Sequence, residues 1–373
     1  MDINNEFTEW AVARGVQLNG IATHRFPGRG LGIIAKQELK AGDTILTVPV
    51  SALRTIRTVP KSISKPIGII TVQGLLAAEL TMDISEVRAA WRAVLPTKED
   101  FDESIPFMWH PALQALLPAG SSSLVENQKK KISVDWAAVS TAFPTVSNAS
   151  YLYYWFIVST RTFYYTSPKI KTPVDHYDCL ALAPFADCFN HADVASKVTF
   201  STSGYDICTD RRIEKGEEIY ISYGNHSNDF LLAEYGFILD ENKWDEISID
   251  EVILSLFTEE LKQQLKEAGF LGNFVLDREK VCYRTQVTLR LLFMPPNRWQ
   301  CMLADGLEDE DEHQLAVNKI LVKGLKAYLD IAYERLKQVE LLDCGLPSQR
   351  HTLNRRWEQI CLLLTTAITR IEN

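Results

Sequence analysis

Apolar and polar residues change rhythm twice along this chain. Up to about residue 60 they come in short runs. Leu31–Ala35 (LGIIA) and Thr44–Val48 (TILTV) have the length and β-branched content of strands. Lys40-Ala41-Gly42-Asp43, between them, reads as a turn. Ile69–Met82 is an apolar stretch of helical length, and helix signals with aromatic clusters continue to about residue 175. Within that region Tyr151–Tyr165 (YLYYWFIVSTRTFYY) predicts a buried helix, too short to span a membrane. Strand patterns return in Lys197–Ser201, Tyr205–Thr209 and Glu218–Tyr223, separated by Ser-Gly and Lys-Gly turn signals. Ser227 is a natural N-cap for a short helix that stops at Gly236. Beyond about residue 245 the rhythm is helical: Glu251–Ala268, Gln314–Val339 and His351–Ile371 carry apolar residues three and four apart. The pattern predicts a β-plus-helix part over 1–240, with a helical insertion over about 60–175, and a helical lobe over 241–373.

Composition narrows the class. The 373 residues are 46% apolar and 23% charged, values of a globular chain with a large core. Lys and Arg number 39 against 48 Asp and Glu, a net charge of −9. That excludes a general nucleic-acid binder, which needs a basic face, and suits a cationic protein partner. Met1–Gly15 has no apolar signal core, and no long apolar run predicts a membrane span. The seven cysteines are scattered without a CxxC pair, which reads as reduced intracellular thiols and neither a disulfide frame nor a zinc site. Leu307–Glu312 (LEDEDE) reads as a solvated acidic loop, and Lys129-Lys130-Lys131 is too short for an import signal.

Four motifs carry candidate chemistry. Gly28-Arg29-Gly30-Leu31-Gly32 lies before a strand, the reverse of the dinucleotide fingerprint, so it is either a tight turn or a place where backbone approaches a ligand closely. Asp187-Cys188-Phe189-Asn190-His191 follows the apolar run Leu180–Phe185, and is either a hydrogen-bonded core corner or a holder of a heteroaromatic ring. His191 has no second ligand at helical spacing, so a metal is not expected. Tyr220 and Tyr223 end a strand, either as sheet-packing aromatics or with the Tyr223 hydroxyl in a cleft. Arg161, after a long apolar run, either snorkels or anchors a carboxylate.

Taken in order these motifs resemble the SET-domain methyltransferases, in the branch of the plant Rubisco large-subunit lysine methyltransferase. The resemblance rests on Gly30-Leu31-Gly32, Leu95-Pro96-Thr97, Phe107-Met108-Trp109, Arg161, Asp187–His191, Glu218–Gly224 and Tyr235-Gly236-Phe237. It implies an α+β fold of small SET sheets with a pseudoknot and a helical insert, followed by an all-α substrate-binding lobe. It implies S-adenosylmethionine as cofactor, bound on one face, with the acceptor side chain entering through a narrow channel from the other. On this resemblance Gly30, Leu31, Gly32, Arg161, Asp187, Asn190, His191, Tyr223 and Phe237 hold the cofactor. Tyr223 is the active-site tyrosine, and Phe163 and Tyr235 line the acceptor side. The expected activity is N-methylation of a lysine in a non-histone protein, by a monomer acting in cytoplasm or nucleus without direct contact to nucleic acid or membrane. Ribosomal proteins and translation factors suit the net charge. The alternatives are protein-histidine methylation and a non-catalytic SET-like binding module. The relatives that methylate a histidine on actin carry a tryptophan where this chain has Ala186 and an asparagine where it has Thr162, which favours lysine.

Overall fold

The computed structural model describes residues 2–165, 179–305 and 313–373; the acidic run Leu307–Glu312 lies outside them. Twelve strands among these residues run in chain order: β1 Gln17–Leu18, β2 Ile21–Phe26, β3 Gly30–Ala35, β4 Thr44–Pro49, β5 Arg54–Thr55, β6 Thr162–Tyr164, β7 Leu180–Leu182, β8 Asn190–Ser201, β9 Gly204–Cys208, β10 Glu218–Ile221, β11 Glu246–Ser248 and β12 Val275–Asp277. The described chain groups into two compact units, 1–102 with 126–225 and 103–125 with 226–373.

In the first unit seven strands pair in the order β1-β4-β9-β8-β10-β3-β2, and a separate ladder runs β5-β7-β6. Thr44–Pro49 and Gly30–Ala35 confirm the two early strands with one residue added at an end. The Lys40–Asp43 turn closes on itself: the Asp43 carboxylate accepts the Lys40 amide at 2.8 Å. The parallel pairing of β10 with β8 shifts register between Tyr220 and Ile221, so Tyr220 faces Asn190 and Ile221 faces Ser196. Such a bulge bends the strand and re-aims side chains locally.

Two apolar helices of this unit pair with each other. Val72–Met82 starts three residues later than the apolar pattern predicts, because Thr71 caps it by accepting the Gly74 amide, and Ile69 stays fully exposed. Asn148–Arg161 packs against it and buries Tyr151, Trp155, Phe156, Ile157 and Val158. This helix corrects the prediction of one helix over 151–165. It stops at Arg161, and Thr162, Phe163 and Tyr164 pair instead with Leu182, Ala181 and Leu180. Aromatic and β-branched side chains suit either state locally, and the strand partner decides.

The second unit is mostly helical. Gln314–Glu340 and Pro347–Glu372 pack side by side, close to their predicted bounds. The stretch predicted as one helix over 251–268 is two, Asp250–Leu254 and Glu259–Glu267, because Thr258 caps a new start. The periodicity also missed the β11–β12 ribbon, whose strands of three residues are too short to show alternation. Asn228–Tyr235 forms as predicted, with Ser227 capping at the N-terminus and Gly236 left-handed at φ 80°. A fully buried ion cluster ties these parts together. Arg356 donates from Nε to Asp229 at 2.8 Å and from Nη1 to Asp245 at 2.7 Å. Burial opposes the guanidinium charge, but Asp229 and Asp245 outweigh it and raise its pKa. Ser121 donates to the same Asp229 carboxylate at 3.1 Å, and the Trp357 indole donates to the Leu116 carbonyl at 2.8 Å. The helix Pro347–Glu372 thereby fixes both 103–125 and 226–245.

Candidate functional site

The segment Asp187–His191 is the hub of the first unit, because separate elements converge on successive residues of it. It begins at Phe185, a bulky residue held at φ 75°, in the region that L-residues avoid. Strain of this kind persists only where surrounding packing imposes it, and it clusters at functional sites. Ala186–Cys188 then form one tight turn, and β8 starts at Asn190.

Arg161 arrives from the end of its helix and donates to the backbone carbonyl of Asp187. Its helix-to-strand junction also sets Phe163 two residues on, in β6, where the ring lies 5.5 Å from that of Tyr205. The Asp187 carboxylate is buried and accepts the Trp91 indole N–H at 2.9 Å. Burial pushes the Asp187 pKa up, while Arg161 and the indole pull it down.

Tyr223 closes the hub from the other side. Its hydroxyl donates to the Phe189 carbonyl at 2.7 Å, and its backbone N–H donates to His191 Nδ1 at 3.0 Å. The two rings stack, with centroids 5.1 Å apart at 29°. Because Nδ1 accepts, a neutral His191 carries its proton on Nε2. The tyrosine is thus fixed at backbone, ring and hydroxyl.

Asn190 donates from Nδ2 to Glu218 at 2.7 Å. Tyr220 donates to the other Glu218 oxygen at 2.7 Å, and Arg29 pairs with that oxygen at 2.7 Å. Glu218 is buried and organises this corner, a role that reading the motif as a strand with tyrosines did not reveal. Gly32 explains why a glycine is needed here. A Cβ on it would lie 2.7 Å from Asn190 Nδ2 and 2.9 Å from Glu218 Oε1. Gly30, by contrast, opens β3 at φ 73° with nothing within 4 Å of a built Cβ, and Leu31 points into the core. Gly32→Ala therefore displaces the Asn190–Glu218 pair; overpacking of this kind costs about 1–3 kcal/mol. We expect scanning calorimetry to show a lower melting temperature with little change in helix content by circular dichroism.

The structure thus brings Gly32, Arg161, Asp187, Asn190, His191 and Tyr223 into one chain of contacts, while Gly30 and Leu31 pair with Phe26 and Arg25 at the start of β3. Tyr235 and Phe237 belong to the second unit, where their rings lie 6.3 Å apart on either side of Gly236. Burial pushes the Tyr235 hydroxyl up to about 12, so it stays protonated at neutral pH. Among the described residues no group of three or more His, Cys, Asp or Glu side chains could hold a metal ion, and no helix is long and apolar enough to cross a membrane.

A strand hairpin carrying glycines, an Asn-His corner and a tyrosine fixed beside it define a SET-type site. The SET domain family matches residues 30–224, more than half of the chain, and the chain belongs to that family. A second family, described as the Ribosomal lysine N-methyltransferase 2 C-terminal domain, matches residues 245–370. The chain is similar to SET domain-containing protein 4 of Mus musculus, with 28% identity over 339 residues, covering 82% of this chain and 77% of that protein. It is similar to Ribosomal lysine N-methyltransferase set11 of Schizosaccharomyces pombe, with 28% identity over 332 residues, covering 86% and 85% respectively. Its fold matches the solved structure of Rubisco LSMT bound to sinefungin and monomethyllysine, with a TM-score of 0.71 at 16% identity, over 100% of this chain and 92% of that one.

Proposed function

We propose that this SET-domain chain is an S-adenosylmethionine-dependent protein-lysine N-methyltransferase whose substrate is a ribosomal protein. The observation that carries the reading is the hub itself: the Arg161 cation and the Tyr223 phenol arrive from separate elements on the segment 187–191, which carries its own amide and imidazole in Asn190 and His191. The relatedness to a ribosomal lysine methyltransferase, through both the SET region and the C-terminal region, supports the substrate class. The net charge of −9 suits a basic protein substrate.

The residues fit the cofactor. The Arg161 guanidinium docks on the Asp187 carbonyl through Nη1, while its buried Nε has no partner among the described residues. It would meet the carboxylate end of S-adenosylmethionine. Asn190 and His191 would hold the adenine and amino-acid portions, with the open backbone of Gly30 and Leu31 beside them. Gly32 and Asp187 would act by fixing Asn190 and Arg161, and Phe163 would line the acceptor side. When bound, S-adenosylmethionine supplies an electrophilic methyl group.

The remaining work falls to the chain. A free lysine at pH 7 sits about 3.4 units below its pKa of roughly 10.4, so presenting it neutral costs about 4.6 kcal/mol. A poorly hydrated site and a neighbouring positive charge both lower that pKa. Tyr223 is too weak a base to take the proton. Its role is to align the amine and hold the site's dipoles in place. Residues 1–240 would carry this chemistry and 241–373 would select the substrate, in the cytoplasm or the nucleus.

The test is incubation of the purified protein with radiolabelled S-adenosylmethionine and ribosomes from cells lacking it. Label on one ribosomal protein, mapped by mass spectrometry to a lysine, is expected. Label on a histidine would replace the acceptor, and no cofactor binding at millimolar concentration would leave a binding module.

A further inference from the structure

We propose that Trp91 is a positioning residue for the cofactor's amino-acid end, acting through Asp187 on Arg161, and that the N-terminal helix Ile3–Val12 braces it. The inference rests on the reading that Arg161 meets the cofactor's carboxylate.

The geometry runs in one line. Trp91 is 1% exposed, and its indole N–H meets the carboxylate of the buried Asp187 at 2.9 Å. The same residue's backbone carbonyl receives Arg161. One residue therefore takes the indole on its side chain and the guanidinium on its main chain, so rotation at Asp187 is felt at Arg161. Behind it stands a row of stacked rings. Trp91 stacks on Trp10 at 6.0 Å and 21°, Trp10 on Phe7 at 6.0 Å and 21°, and Phe7 on Phe185 at 5.4 Å and 12°. The row begins at the Asp187 partner and ends at Phe185, the residue with φ 75° two positions before Asp187. It holds the residue before the turn and the carboxylate at the turn's middle, whose carbonyl is Arg161's acceptor. Trp10 and Arg14 further fix the chain near Trp91 by donating to the Val87 carbonyl. The helix Ile3–Val12 lies outside residues 30–224, the span that matches the SET family.

A buried carboxylate is stable only with donors facing it. Burial already pushes the Asp187 pKa up, and the indole is one of the groups holding it down. Without it the carboxyl is free to take a proton or turn, and Arg161 loses a fixed negative neighbour. Asn190 and His191, the other proposed cofactor groups, are anchored elsewhere, on Glu218 and Tyr223.

The distinguishing measurement compares two ligands by isothermal titration calorimetry on the full chain. S-adenosylhomocysteine carries the amino-acid end, and 5′-methylthioadenosine lacks it. Trp91→Phe is expected to weaken S-adenosylhomocysteine about 10–100-fold, the range for losing a hydrogen bond to a charged group. Methylthioadenosine affinity is expected to stay within about twofold. Asp187→Asn, which keeps the shape of the turn, is expected to show the same split, and the double variant is expected to be no worse than either single one. It carries the test alone if Trp91→Phe fails to fold. Equal losses for both ligands, or no loss, would overturn the proposal. Failure of the unaltered protein to bind S-adenosylhomocysteine would instead overturn the methyltransferase reading on which it rests.

Discussion

Tyr223→Phe lowers kcat by about 10²–10³-fold, the cost of removing one preorganised hydroxyl dipole from a reacting site, and leaves the cofactor's Kd within about threefold. The reason lies in how the residue is held. Its backbone N–H on His191 and its ring stacked on the imidazole survive the change, so the cofactor side keeps its shape. Only the hydroxyl and its 2.7 Å bond to the Phe189 carbonyl are lost. A hydroxyl that merely touched a methyl group through weak C–H···O contacts, worth about 0.5–1 kcal/mol each, would cost about fivefold at most. A loss far above that reports alignment of the reacting groups. Single-turnover kinetics beside calorimetric cofactor binding separate the two effects. Near-normal turnover would remove Tyr223 from the chemistry.

Arg356→Met destabilises the second unit by about 3–5 kcal/mol, because two buried carboxylates lose their shared cation. Methionine keeps much of the volume, so the loss is chiefly electrostatic. Asp229 still has Ser121 and Asp245 still has the Asn228 amide, but neither replaces the charge. At roughly 2–4 °C per kcal/mol for a unit of this size, the melting temperature falls by about 10 °C. Exchanging all three partners at once, Arg356→Met with Asp229→Asn and Asp245→Asn, recovers much of the loss, since no charge is then stranded. Differential scanning calorimetry checks both variants. A triple variant as unstable as the single one would show that shape, not charge, governs the cluster.

Much of this architecture is written locally. The early strands, the Lys40–Asp43 turn and the helix between Ser227 and Gly236 follow from β-branched runs, caps and a left-handed glycine. The candidate residues Asn190, His191, Arg161 and Tyr223 are likewise legible, because polar groups at fixed places in apolar runs demand an explanation. What the pattern could not supply is partnership at long range. The helix ending at Arg161 depends on β7 pairing with β6, and without that partner 162–164 are as good a helix as a strand. The Trp91–Asp187 bond joins residues 96 positions apart, and neither carries a sign of the other. Glu218 reads as an ordinary strand acid until Asn190, Arg29 and Tyr220 are seen to share it.

The second unit is assembled from two separated stretches, 103–125 and 226–373. Trp109, Leu113, Leu116 and Leu117 belong to a core whose other side includes Leu353, Trp357 and Ile360. During translation the early stretch therefore leaves the ribosome with its apolar face uncovered and waits for the helix Pro347–Glu372 to emerge. Domains fold as units, N-terminal parts first, as the chain is made. Here the interval between those two events is a window for chaperone capture, set by the more than two hundred residues that separate Leu117 from Leu353.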